Sequence, residues 1–411
     1  MSFQTRRVVV TGMAGISPLG LDWASVSQSL KAKQNVVQYL SSWDEYKGLN
    51  TRIAAPVNNF EKPAHYKRKQ VRSMGRVSLM STVAAEIALQ DAGLLGDSLV
   101  QSGRMGISFG SSSGSTDAVL DFGNMLEKKD IKGINATTYV RMMSHTAAVN
   151  IGVFFGMQGR IIPTSSACTS GSQGIGYAYE AIKYGMQDAM IAGGGEELCV
   201  SQAAVFDTLF ATSLKNDTPK LSPRPFDKDR DGLVLGEGAG VLILEEYQRA
   251  KARGANIIAE IVGFYCNSDG KHITQPNTET MEVAMRGSLA DAGLDIESIG
   301  YVCAHGTATT QGDIAESQAT ARVFANNTPF SSLKSYMGHT LGACGALEAW
   351  MSIQMMREGW FAPTINLNNI DTECGDLDYI VDDIREVNTD YIMTNNFAFG
   401  GINTSIIIKK L

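Results

Sequence analysis

Residues 163–185 read PTSSACTSGSQGIGYAYEAIKYG and residues 332–359 read SLKSYMGHTLGACGALEAWMSIQMMREG, two versions of one design within a single chain. Each puts a reactive side chain ahead of glycines at the same spacing: Cys168 before Gly171 and Gly174, His339 before Gly342 and Gly345. Both tails carry apolar and small residues all round, the composition of helices buried on every side. Two further pairs recur in the same order. ALQDAGL (88–94) matches SLADAGL (288–294), each a helix end closed by glycine; RMGISFGSSSG (104–114) matches IGYVCAHGTAT (299–309), each an apolar strand running into turn residues. Internal repetition sets architecture before any local motif does. The expectation is an α/β chain of two duplicated βα halves, residues 1–255 and 256–411, packed face to face. A pseudo-twofold axis between them would make Cys168 and His339 equivalent and let them converge.

Bulk properties narrow the function. With 44% hydrophobic and 19% charged residues the chain has an ordinary globular composition, and its net charge of −7 argues against nucleic-acid binding, which needs an excess of Lys and Arg. The opening MSFQTRRVVVTG turns apolar for only a short stretch, too little for a signal-peptide core, and no apolar run approaches the roughly 20 residues of a membrane span. A cytoplasmic location is the default expectation. The six cysteines, at 168, 199, 266, 303, 344 and 374, show neither pairing nor metal-ligand spacing, so no metal is expected and any of them is free to be a nucleophile.

Cys168 stands between the extended GRIIPTSSA and a helix starting near Thr169. A helix N-terminus favours thiolate over thiol, and its neighbours Ser165, Ser166, Thr169, Ser170 and Gly171 suit close substrate approach. Two of the five histidines, His305 in AHGT and His339 in GHT, occupy near-identical glycine settings, as expected of a pair aimed at one substrate atom. Lys334, Asp313, Glu316 and Glu348 flank that pair and have the charges of groups that orient it.

Five segments carry a resemblance: SSACTSGSQGIGYA (165–178), RPFDKDRDGLVLGEGAGVLILE (224–245), AHGTATTQGDIAE (304–316), KSYMGHTLGACGALEA (334–349) and NNFAFGGINTSIIIKK (395–410). Together with RRVVVTGMAGISPLG at the start, they resemble the signatures of elongating β-ketoacyl-acyl-carrier-protein synthases of the synthase I/II class, over essentially the whole chain. The resemblance implies a thiolase-like fold in five α-β-α-β-α layers. It implies Cys168 as acyl-accepting nucleophile, His305 and His339 as the decarboxylating pair, and Lys334, Glu316 and Glu348 as their support. Thr307 and Thr309 would contact the phosphopantetheine arm, Phe399 would gate the site and lend its N–H to an oxyanion hole, and Phe109 would floor the acyl pocket. The partner implied is an acyl carrier protein in acyl and malonyl forms, with no resident cofactor, and the assembly a homodimer with TAAVNIGVFFGMQG (146–159) at its interface. Ala398 and Ile402 depart from the glycine and threonine usual beside the gate. Such departures resemble ketosynthases of aryl-polyene or other specialised bacterial pathways.

Two rivals come from other classes. Gly110-Ser-Ser112-Ser-Gly114 after a strand satisfies the nucleophile-elbow pattern of a serine hydrolase, with Ser112 as nucleophile, although Gly114 and Ser115 continue as loop where an elbow needs a helix. A non-catalytic partner subunit resembling a chain-length factor would share the fold but not Cys168. Between His65 and Arg76 the chain carries Lys67, Arg68, Lys69 and Arg72 with no acid. The bland reading of such a run is a solvated face; the functional reading is docking of an acidic carrier through Lys69 and Arg72, with Lys215 as a second contact.

Overall fold

The computed structural model describes residues 5–411. Its first half contributes strands β1 (Val8–Ile16), β2 (Met105–Gly110), β3 (Ile161–Thr164), β4 (Ala189–Glu196) and β5 (Gly238–Glu246). The second contributes β6 (Ala259–Ser268), β7 (Tyr301–Cys303), β8 (Pro329–Ser331), β9 (Tyr391–Ala398) and β10 (Ile402–Lys410). Along the sheet the strands run β3-β2-β4-β5-β1 and then β6-β10-β9-β7-β8, so each half places its third, second, fourth, fifth and first strand in that order from the outer edge to the seam, and Asp378–Tyr379 adds an eleventh strand outside β8. Directions repeat too. In each half the first three of that order are parallel and the last two antiparallel. The seam is the antiparallel pairing of Val8, Val9 and Val10 with Ile261, Glu260 and Ala259.

Helices form three layers. α1 (Arg76–Asp91) and α2 (Thr146–Phe155) cover the outer face of the first half; α4 (Thr278–Ala292) and α5 (Thr310–Phe324) cover that of the second. Between the half-sheets lie α3 (Ser170–Lys183) and α6 (Cys344–Glu358), each touching strands of both halves and one another. Twelve of the fifteen residues of α6 are buried, so it cannot have a polar face, and its sequence accordingly has none. Each fully buried Leu, Ile or Met there contributes about 1.5–3 kcal/mol of burial. Close approach of the two central helices depends on Gly171, where a Cβ would lie 2.9 Å from Ala346 N and 3.0 Å from Gly342 O.

One expectation about the repeat needs correction. Ala167–Thr169 is a 3-10 turn opening into α3, and Leu341–Ala343 is the matching turn opening into α6; the first residue of each has positive φ, +50° at Ala167 and +46° at Leu341. The true equivalent of Cys168 is therefore Gly342, and His339 lies three residues earlier. Equal glycine spacing misled because each segment has one pair of glycines three residues apart, so the two pairs still match when the segments are aligned three residues out of register.

Phe109 is likewise not where the resemblance put it. Its ring is fully buried in the core that α1 and α2 build with Met80, Ala84, Ala147 and Ile151. Neighbouring Gly110 faces Ser170 on α3, and side chains alternate across a strand, so Phe109 points to the opposite face of the sheet.

Candidate active site

The 3-10 turn sets Cys168 at the bottom of a cavity of about 440 Å³, also lined by His305, Thr307, Thr309, Glu316, His339 and Phe399. Sites expected from separate motifs thus meet in one place. The Cys168 sulfur and a nitrogen of each histidine lie within 4.8 Å of one another, and the imidazole planes are nearly perpendicular at 88°, with centroids 5.1 Å apart. Phe399 occupies the short turn between β9 and β10, and its backbone N–H faces the Cys168 sulfur and works to lower the pKa of the thiol. Its ring rests edge-on against Phe206 beside the cavity.

The histidine surroundings settle their protonation. Nδ1 of His305 faces two donors, Lys334 Nζ at 3.2 Å and Asn396 Nδ2 at 3.3 Å. Nδ1 of His339 accepts the Leu341 N–H at 3.2 Å. In each ring Nδ1 must be the acceptor, so Nε2 carries the proton. Burial, reinforced by the Lys334 charge, holds both rings well below the ordinary histidine pKa, and they stay neutral. His339 Nε2 has no partner among the described residues although it is buried, and His339 lines the cavity. The two neutral N–H donors can hold an oxyanion without giving up a proton. The same tautomers disfavour a metal between Cys168 and the histidines, since ligation would need the Nε2 lone pairs free and Nδ1 protonated against other donors.

Lys334 is fully buried, pairs with Glu348, and donates to the His305 carbonyl at 2.6 Å. Burial opposes its charge, but Glu348 beside it keeps it protonated. Asn396 bridges Glu348 at 2.7 Å and His305, completing a support that the motifs did not reveal. The available signal was a pair of adjacent asparagines, Asn395 and Asn396, inside a largely apolar strand. Glu316 accepts the backbone N–H groups of His305 and Gly306 at 2.6 and 2.7 Å, and burial pushes its pKa up to about 8. Asp313 holds Thr307 and Ala308 the same way, so two acids brace the whole His305–Ala308 loop. The Thr307 and Thr309 hydroxyls lie 2.9 Å apart.

The expected thiolate is corrected. Burial pushes the Cys168 thiol up to about 11, while the Phe399 N–H, Lys334 and its own N–H only partly draw it back. A helix terminus in a dry pocket does not offset full desolvation. Ser112 has none of the apparatus of a hydrolase nucleophile: it lies in a serine cluster gathered around the Glu196 carboxylate, which accepts its N–H at 2.8 Å. Lys69 and Arg72 are exposed, Lys215 half-buried, and none of the three has an ion-pair partner among the described residues. They do not line the cavity.

Residues 5–250 match the model of the β-ketoacyl synthase N-terminal domain, and residues 258–368 match that of its C-terminal domain. The chain belongs to the β-ketoacyl synthase family. It is an acyltransferase of the ketosynthase type. It is 37% identical to 3-oxoacyl-[acyl-carrier-protein] synthase 2 of Vibrio cholerae over 99% of both chains, and 34% identical to synthase 1 of Escherichia coli, again over 99% of both. A crystal structure of a β-ketoacyl synthase from Burkholderia phymatum superposes with a TM-score of 0.98 at 57% identity, covering 99% of this chain and all of that one. These ketosynthases share the thiolase-like architecture, and the duplicated topology, the five layers and the cysteine with its two histidines now belong to one description. Among the described residues no helix is long and apolar enough to cross a membrane.

Proposed function

We propose that the protein extends an acyl chain by two carbons, through decarboxylative condensation of acyl-Cys168 with a malonyl thioester carried on an acyl carrier protein. The observation that carries this reading is the pair of neutral Nε2–H donors beside the Cys168 sulfur, which the Phe399 N–H also faces. Cys168 attacks the acyl thioester, and its proton ends on the departing pantetheine thiol, so a raised thiol pKa is no obstacle to net exchange. Malonyl thioester then replaces it. Carbon dioxide leaves, the electron pair passes into an enolate, and the enolate oxygen is held by His305 and His339. The resulting carbanion attacks the acyl carbonyl; the N–H groups of Cys168 and Phe399 hold that second oxyanion, and collapse returns the cysteine, which takes a proton. Every step of this proposal uses the chain's own groups.

The carrier is proposed to dock where its arm can enter past Thr307 and Thr309, with Lys69, Arg72 and Lys215 steering an acidic surface. Strand β3 ends the sheet with Ile161 exposed, and Val153 on α2 is 74% exposed nearby, a suitable face for a second copy of the chain. A cytoplasmic setting suits free thiols and carrier-bound substrates. The test is incubation with acyl-carrier thioesters of varied length and saturation followed by malonyl carrier. Mass gain at Cys168 and then a 3-ketoacyl product are expected; acylation elsewhere in the chain would refute the assignment.

A further inference from the structure

Glu196 ends β4, is completely buried, and takes no part in the chemistry above. Its Oε2 accepts two backbone N–H groups, Ser112 at 2.8 Å and Gly342 at 3.0 Å. Its Oε1 accepts from Ser111 Oγ at 3.2 Å, Gln202 Nε2 at 3.3 Å and Ser113 Oγ at 3.4 Å. Five donors converge on one carboxylate, a cradle built for an anion.

The repeat explains what that cradle is. Gly342 is the counterpart of Cys168, the middle residue of the matching 3-10 turn. Glu196 pairs with Gly238, the first residue of β5, as Ala398 pairs with Ile402, the first residue of β10, so Glu196 is the counterpart of the residue before Phe399. The Gly342 N–H therefore stands where the Cys168 N–H of the oxyanion hole stands in the other half. We infer that Glu196 is an internal anion filling the duplicated, non-catalytic oxyanion hole, and that by doing so it positions His339 for decarboxylation.

The link is one residue long. Leu341, next to Gly342, is held at φ +46°, a region a bulky side chain occupies only when its surroundings impose it. Its N–H fixes the His339 tautomer. With Glu196 bound to Gly342 the turn is pinned; without it Leu341 can relax, and the N–H leaves Nδ1. Gly342 is required there, since a Cβ would lie 2.8 Å from Glu196 Oε2.

This role rests on the proposed condensation, and the test separates the two. Glu196→Ala is expected to slow carbon dioxide release from malonyl carrier by roughly tenfold or more, the usual loss when a supporting contact of a reactive group goes. Acylation of Cys168, read by intact mass, should stay within about twofold. Added formate should restore release by refilling the cradle. Glu196→Gln, nearly the same shape, should be slowed without formate rescue, because either orientation of its amide sets the N–H₂ against a donor, the Ser112 and Gly342 N–H groups on one side or Gln202 Nε2 on the other, while filling the space. Unchanged release in both variants overturns the inference, as does an equal fall in acylation and release, or a slowed Glu196→Ala that formate does not restore. If Glu196→Ala fails to fold, the Gln variant decides alone through the ratio of release to acylation. Wild-type protein that neither acylates Cys168 nor releases carbon dioxide would instead remove the proposed function.

Discussion

Lys334 Nζ lies 3.2 Å from His305 Nδ1, so a buried ammonium dictates which imidazole nitrogen bears the proton that faces substrate. The same ammonium is paired with Glu348. Replacing Lys334 with Ala leaves Asn396 as the lone donor to His305 Nδ1 and Glu348 as a buried carboxylate without its ion-pair partner, a loss of about 3–5 kcal/mol where one partner of such a pair goes. Decarboxylation should fall by roughly tenfold to a hundredfold. A joint melting and carbon dioxide assay checks both; Lys334→Ala with full decarboxylation would show that the tautomer is set elsewhere.

Cys168→Ala should abolish condensation yet still decarboxylate malonyl carrier, because the donors to the enolate oxygen are on His305 and His339. Changing either histidine to Ala should do the reverse, keeping acylation while slowing decarboxylation by roughly a hundredfold or more. Single-turnover acylation and carbon dioxide release separate the two half-reactions.

The raised pKa of Cys168 has a definite sign. Only the thiolate reacts with iodoacetamide, and with the thiol pKa at about 11 its fraction grows roughly tenfold for each unit of pH well below that value. The alkylation rate at Cys168, obtained by subtracting the Cys168→Ala background, should therefore climb without a plateau from about pH 7 to about pH 9. A plateau below that range would mean a resting thiolate.

Phe109→Ala should cost about 3–5 kcal/mol through the cavity it leaves in the core between the sheet and α1, while the chain-length profile of Cys168 acylation stays as in the wild type. Longer acyl chains on the variant, with little change in melting temperature, would return Phe109 to the acyl pocket.

Arg72→Glu and Lys215→Glu should slow carrier association most at low salt, since peripheral charges steer encounter more than they hold the complex. The readout is the KM for carrier-bound substrate across ionic strength. Equal values for variant and wild type at low salt would leave these residues as solvated surface.

The duplication, Cys168 and both histidines of the candidate site were legible in the sequence, because each is written in a short local pattern: glycines beside a reactive residue, and apolar runs that alternate with helices. The register of the repeat was not local. It took the matched positive φ values of Ala167 and Leu341 to show that Cys168 corresponds to Gly342. The proton positions on the histidines, the bracing by Asn396 and the cradle around Glu196 depend on pairs 29, 91 and 146 residues apart, whose partners no spacing rule connects. Desolvation of Cys168 and the inward turn of Phe109 were hidden for the same reason, since burial is a property of what the rest of the chain packs against a residue, and only the assembled layers decide it.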